Sequence, residues 1–286
     1  MPTPLVLGAL AVLLAGPVPA VLARVPRTRR TPRAAMLLWQ GVALAAVLAA
    51  LGAGLSVVTG PVGWPDLVAL VLTALVLGRL LLSGHLVGTD LRALRRRHRE
   101  QLDLLARADA RAPGRTAVLE HDVPVAYCVP GRRVERVVVS AGTLDRLSPA
   151  EVSAVLQHER AHLRARHDLV LEAFSVLHHA FPRWVSSAAA LSEVRLLVEV
   201  LADRAATRCS DRRALGQALL TLAEGRAGGP DFALGAAAVE SSLLVRVRLL
   251  GDRGPHRLQA VVLVALAVGV LVLPTAFVVW PWLRTY

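Results

Sequence analysis

Long apolar runs dominate the chain, and four are long enough to cross a bilayer, which takes roughly 20 helical residues. They cover residues 3–23, 35–58, 67–88 and 258–282. Between the third and fourth runs the pattern changes. Residues 116–140 hold the short Val-rich stretches "TAVLE", "PVAYCVP" and "VERVVVSAG", separated by turn-formers such as "PGR", and these predict a small antiparallel sheet. Ser148-Pro149-Ala150-Glu151 follows, with serine at the cap, proline at the first helical position and glutamate at the third. This capping box predicts a helix start, and Val152, Val155 and Leu156 give the helix a buried face. Residues 168–181 and 184–208 predict two further helices divided by Pro182, and residues 239–250 a short amphipathic one. "EGRAGGPDFALG" has loop composition. The fold class expected is a mainly α membrane protein with four transmembrane helices. Residues 1–88 hold the first three, 89–257 an inserted α+β domain, and 258–286 the fourth helix with a short tail.

Composition sharpens this picture. Hydrophobic residues make up 55% of 286, aromatics only 4%, and mean hydropathy is +0.52, so the apolar mass is Leu, Val and Ala gathered in runs rather than spread as in a soluble enzyme. The net charge of +12 comes from arginine, since the chain has no lysine. "RVPRTRRTPR" after the first run and "LRALRRRHRE" after the third each carry five arginines, whereas "TGPVGWPD" carries none. Placing both basic stretches, read as loops, in the cytoplasm predicts a multi-pass protein of the cell membrane with an outside amino terminus and residues 89–257 in the cytoplasm. The arginines are not interleaved with aromatics, so no direct nucleic-acid binding is expected. "MPTPLVLGAL" lacks a basic leader region and reads as a retained helix that Pro17 and Pro19 kink or end. Arg79, in the third run, reads as a snorkelling side chain. Cys128 and Cys209 have no CxxC spacing, which predicts packing residues rather than a disulfide framework or a thiolate zinc site.

The candidate chemistry lies on the capped helix, at His158-Glu159-Arg160-Ala161-His162. Residues four apart on a helix are separated by about 6 Å along the axis and about 40° around it, so both imidazoles can aim at one Zn²⁺. Glu159 projects from the adjacent face, where it can take a proton from a zinc-activated water and pass it to the leaving amine. The bland reading is a solvated polar face among Arg160, Arg164 and Arg166.

A catalytic zinc needs a third protein ligand and an open position. Asp168 sits where some zinc proteases place that ligand, but those use a glycine turn and position 165 is alanine. On a continuing helix Asp168 lies about 9 Å beyond His162, and His167 fails for much the same reason. His178 and His179 lie on the next helix, where histidines more often cap or pack. Glu199 is the best candidate, with Asp203 one turn further on the same face to accept the second ring nitrogen of a ligating histidine. The bland alternative is an intrahelical charge set of Arg195, Glu199 and Asp203. HExxH on one helix and ExxxD on another is the gluzincin arrangement.

The run "AYCVPGRRVERVVVSAGTLDRLSPAEVSAVLQHERAHLRARHDLVLE", followed by "EVLADRAA" and "LLVRVRLL", resembles the membrane zinc peptidases of the BlaR/MecR antirepressor type. More distantly it is similar to the HtpX and CAAX prenyl protease group. The resemblance implies a cytoplasmic gluzincin-like domain with one zinc held by His158, His162 and Glu199, and Glu159 as general base. It further implies a regulatory endopeptidase acting on a cytoplasmic or membrane-adjacent protein such as a BlaI-like winged-helix repressor. The β-lactam receptors of that type carry an extracellular penicillin-binding domain after the fourth helix. This chain reaches "WLRTY" soon after its fourth run, so no such sensor is expected in the same polypeptide.

The exposed edge of the sheet around residues 134–140 is expected to take up substrate as an added strand. A second reading, of another class, is a catalytically inactive membrane scaffold or signalling protein whose zinc is structural or absent. Glu159 weighs against it, because a structural site favours four closed ligands and has no use for a base. A third is cleavage within the bilayer, against which the polar surroundings of the motif count. Arg204 and Arg246 are candidates for stabilising the developing oxyanion.

Overall fold

The structure, a computed structural model, describes residues 3–56, 63–107, 109, 111–112, 116–131, 136–181, 188–227, 236–252, 254 and 256–283. Pro182, residues 57–58 of the second apolar run, Arg132 of "PGR", residues 134–135 and most of "EGRAGGPDFALG" lie outside the described residues. In chain order the elements are α1 (Thr3–Ala15), α2 (Pro17–Leu22), a 3-10 turn (Pro26–Arg30), α3 (Pro32–Leu55), α4 (Trp64–Leu105), β1 (Thr116–Leu119), β2 (Ala126–Val129), β3 (Arg136–Ser140) and α5 (Ala141–Arg146). There follow α6 (Pro149–Arg164), α7 (His167–Ala180), α8 (Ala188–Ala206), α9 (Arg212–Ala227), α10 (Ala236–Gly251) and α11 (Arg257–Leu283). Helices α5 and α9 add to those the sequence pattern predicts.

The chain divides into two compact units. The first comprises Met1–Gly88, Leu171–Leu197 and Gly254–Tyr286. Among the described residues, four stretches are long and apolar enough to cross a membrane by length and composition: Thr3–Leu22, Pro32–Leu55, Asp66–Leu105 and Arg257–Val279. Within the first, Gly16 breaks the helix and Pro17 restarts it, the role its proline pair suggested. Helix α3 packs closely on α11 because its contact face is small: a Cβ on Gly41 would stand 3.1 Å from the Ala267 carbonyl oxygen. Arg79 is not simply snorkelling, since its Nε donates to the Ala180 carbonyl at 2.6 Å.

The arginine-rich stretch after the third run is helix, not loop, because α4 continues to Leu105. Leu, Ala, Arg, Glu and Gln are strong helix formers, and an Arg96–Glu100 pair of 2.9 Å one turn apart supports the exposed face.

The second unit, Thr89–Val170 with Val198–Arg253, carries the sheet. Its order is β1-β3-β2, with β1 parallel to β3 (Thr116↔Val137) and β2 antiparallel to it (Ala126↔Val139). The sheet is therefore mixed, which corrects the antiparallel expectation. Short Val-rich strands satisfy either pairing equally well, and only the connections decide. Strand β3 is central, so residues 136–140 are no edge for a substrate; β2 occupies one edge of the sheet among the described residues. Alternation along β3 serves two apolar layers. Val137 and Val139 join Val152, Val155, Leu156 and Leu163 of α6 and Ala218 and Leu222 of α9, while Val138 faces Leu102 of α4.

Candidate metal centre

Helix α6 begins as its sequence dictates. Ser148 Oγ accepts from the Glu151 amide at 3.4 Å, and Glu151 Oε2 accepts from the Ser148 amide at 2.7 Å. The apolar stripe that packs this helix on β3 and α9 fixes its rotation, and so aims His158 and His162.

The two imidazoles converge: His158 Nε2 and His162 Nε2 stand 3.1 Å apart, with ring centroids at 4.8 Å. From α8, Glu199 Oε2 lies 3.4 Å from His158 Nε2 and Oε1 lies 3.6 Å from His162 Nε2. Bonds of about 2.0–2.1 Å to a tetrahedral zinc require ligand atoms about 3.3 Å apart. The three separations match those edges, so the residues present fit the ion. Glu199 keeps 35% of its side-chain surface accessible against 7% for His158, which leaves one side of the cluster open.

Asp203, 2% exposed, brings Oδ1 to 2.9 Å from His158 Nδ1, close in distance but poorly aligned for a hydrogen bond. Arg246 of α10 spans both α8 carboxylates. Its Nε and Nη2 donate to Asp203 at 2.8 and 2.7 Å, and Nη1 lies 3.0 Å from Glu199 Oε2. Arg246 is thus committed to carboxylates rather than presented to an oxyanion, and the partner of Glu199 and Asp203 is this distant arginine, not the exposed Arg195.

Sequence reasoning missed two neighbours. A continuing helix would carry His167 out of reach of the cluster, but α6 ends at Arg164 and Arg166 turns with φ 50°, a left-handed conformation that usually favours glycine. The turn folds the chain back, buries His167 to 6% exposure and sets its Nδ1 3.1 Å from His162 Nδ1. Asp168 faces Arg95, at 3.6 Å, and is not in the cluster. His178 and His179 belong to the other unit, where His179 Nδ1 stands 2.7 Å from the Ser175 carbonyl oxygen, a capping contact. The second neighbour is Cys128 of β2, whose thiol burial pushes well above its usual range, with the adjacent Glu159 carboxylate adding to the effect. Glu159 therefore faces β2.

Electrostatics separate the two histidines. Burial works against a proton on His158, but Asp203 and Glu199 outweigh it and raise the group to about 9. Burial lowers His162 to about 4, against the pull of Glu199. Burial also lowers His167. Although burial opposes their charge, Glu199 is held below the usual carboxylate range by His158 and then Arg246, and Asp203 by Arg246 and then His158.

Residues 92–181 match peptidase family M48. The M48 match takes in α6 with His158, Glu159 and His162, and His167 at the head of α7; Glu199, Asp203 and Arg246 lie beyond it. It supports a metallopeptidase, and M48 peptidases are zinc-dependent in general. No curated protein and no solved structure matches the chain significantly.

Proposed function

We propose that the protein is an integral-membrane zinc endopeptidase in which His158, His162 and Glu199 hold the ion and Glu159 is the general base. The observation that carries this reading is the spacing of the three ligand atoms, 3.1, 3.4 and 3.6 Å, at one solvent-open point. When bound, zinc supplies Lewis acidity, making a water acidic and polarising the scissile carbonyl. Glu159 takes the proton of the attacking water on a carboxylate oxygen and returns it to the leaving amine nitrogen. Asp203 holds the His158 ring from behind, and Arg246 keeps both α8 carboxylates charged and oriented.

Strand β2 pairs with β3 on one side, and its other edge carries no ladder among the described residues. A substrate backbone laid along that edge, next to Cys128, passes close to Glu159. This replaces the β3 segment as the docking strand.

The arginines flanking the apolar helices support a cytoplasmic catalytic unit and an outside amino terminus. The resemblance to antirepressor peptidases supports a regulatory substrate, a cytoplasmic or membrane-adjacent protein such as a winged-helix repressor. The test is Glu159→Gln in full-length protein. Zinc content should be unchanged, and cleavage of a general protein substrate such as casein should fall by about 10²–10⁴-fold. Unchanged cleavage rejects the mechanism; unchanged cleavage by His158→Ala rejects the site.

A further inference from the structure

We infer that His167 is a positioning residue for His162: its Nδ1 accepts the Nδ1–H of His162 and locks the tautomer that leaves Nε2 free for the metal. The inference rests on the zinc reading above. A nitrogen that binds zinc carries no proton, and Nε2 of His162 is the atom that meets His158 and Glu199. The proton of a neutral His162 must then sit on Nδ1. That atom is 3.1 Å from His167 Nδ1, which therefore acts as the acceptor, so His167 carries its own proton on Nε2.

The local backbone is arranged to make this contact. Five residues of continuing helix would carry position 167 about 7.5 Å along the axis and about 140° around it from His162. The break after Arg164 and the left-handed Arg166 return it to the cluster instead. A buried polar ring needs a partner, and His162 is the one the turn supplies for His167.

The two ligating rings are consequently backed by different chemistry. His158 has the anionic Asp203 at its Nδ1, and His162 has a neutral imidazole. A carboxylate raises the basicity of the ring it backs, whereas an imidazole fixes orientation without adding charge.

The test compares His167→Asn, His167→Gln and His167→Leu in the full-length, detergent-solubilised protein, by chelator competition for zinc and by the absorption spectrum of the cobalt-substituted form. The Asn side-chain oxygen occupies the place of His Nδ1, so Asn should bind zinc within about threefold of wild type. Gln offers its oxygen further out and Leu offers none, and both should weaken zinc about 10–100-fold with an altered cobalt spectrum. A Leu variant that binds as wild type does, or an Asn variant as weak as Leu, overturns the proposal. A measurement without any variant guards against misfolding: nitrogen NMR of the zinc-loaded wild type should show His162 protonated at Nδ1 and His167 at Nε2, and the opposite assignment overturns it. Wild type that binds no zinc overturns the metallopeptidase reading as well, so the two failures are distinguishable.

Discussion

Arg246 and Asp203, 43 residues apart, form a two-pronged ion pair in which Nε and Nη2 of the guanidinium reach the two oxygens of one carboxylate at 2.8 and 2.7 Å. Asp203 is 2% exposed, so water cannot solvate its charge in place of the guanidinium. Arg246→Met removes that two-pronged partner and leaves Asp203 and Glu199 with His158 as their remaining cationic neighbour. Breaking one partner of a buried pair costs about 3–5 kcal/mol, and the expected outcome is a marked fall in melting temperature together with weaker zinc binding. Arg246→Lys should recover only part of the loss, because an ammonium cannot reproduce the fork. Thermal unfolding and chelator competition check both statements.

Zinc uptake should expel a proton. In protein stripped of metal by a chelator, His158 sits at about 9 while Glu199 is already ionised and His162 is already neutral near pH 7. About one proton per zinc should be released at pH 7, falling towards zero above about pH 9. Calorimetry in buffers of different ionisation enthalpy counts it. The same raised value fixes the sign of a stability effect: His158 adds stability to the stripped protein below its ordinary value of 6.5, and that contribution disappears as pH climbs through about 9.

The two cysteines should differ sharply in reactivity. Cys209 is exposed, whereas Cys128 is partly buried and kept protonated by burial and by Glu159. Iodoacetamide at pH 8 should label Cys209 first, as read by mass spectrometry. In Glu159→Gln the Cys128 rate should rise, since a negative neighbour is gone, while staying below that of Cys209. An unchanged Cys128 rate would place the carboxylate elsewhere.

Gly142→Ala tests how the sheet joins α5. A Cβ there would stand 2.0 Å from the Asp122 carbonyl oxygen, a backbone atom that cannot rotate away. Overpacking of this kind costs about 1–3 kcal/mol or more, visible as a lower urea midpoint.

The residues themselves announce some of this architecture. The apolar runs mark the long helices, the Ser148 capping box marks the start of α6, and the spacing of Glu199 and Asp203 puts both on one helical face. The rest depends on contacts distant in sequence or on backbone states that composition does not signal. Arg246 is one arginine among many, and only the packing of α10 selects it. Arg166 takes a glycine-like conformation with no glycine to mark the turn, which is why His167 reads as out of reach. Strand order follows from connections rather than from valine content.

On the endopeptidase reading proposed above, the edge of β2 that carries no ladder among the described residues sets a condition on whatever is cut. Its backbone groups can be met only by a chain drawn out straight, since a helix has already spent its own amides internally. Selection at such an edge is selection for looseness: a target becomes a target where it frays, and a change that rigidifies one of its segments would protect it without altering a single residue at the bond that breaks.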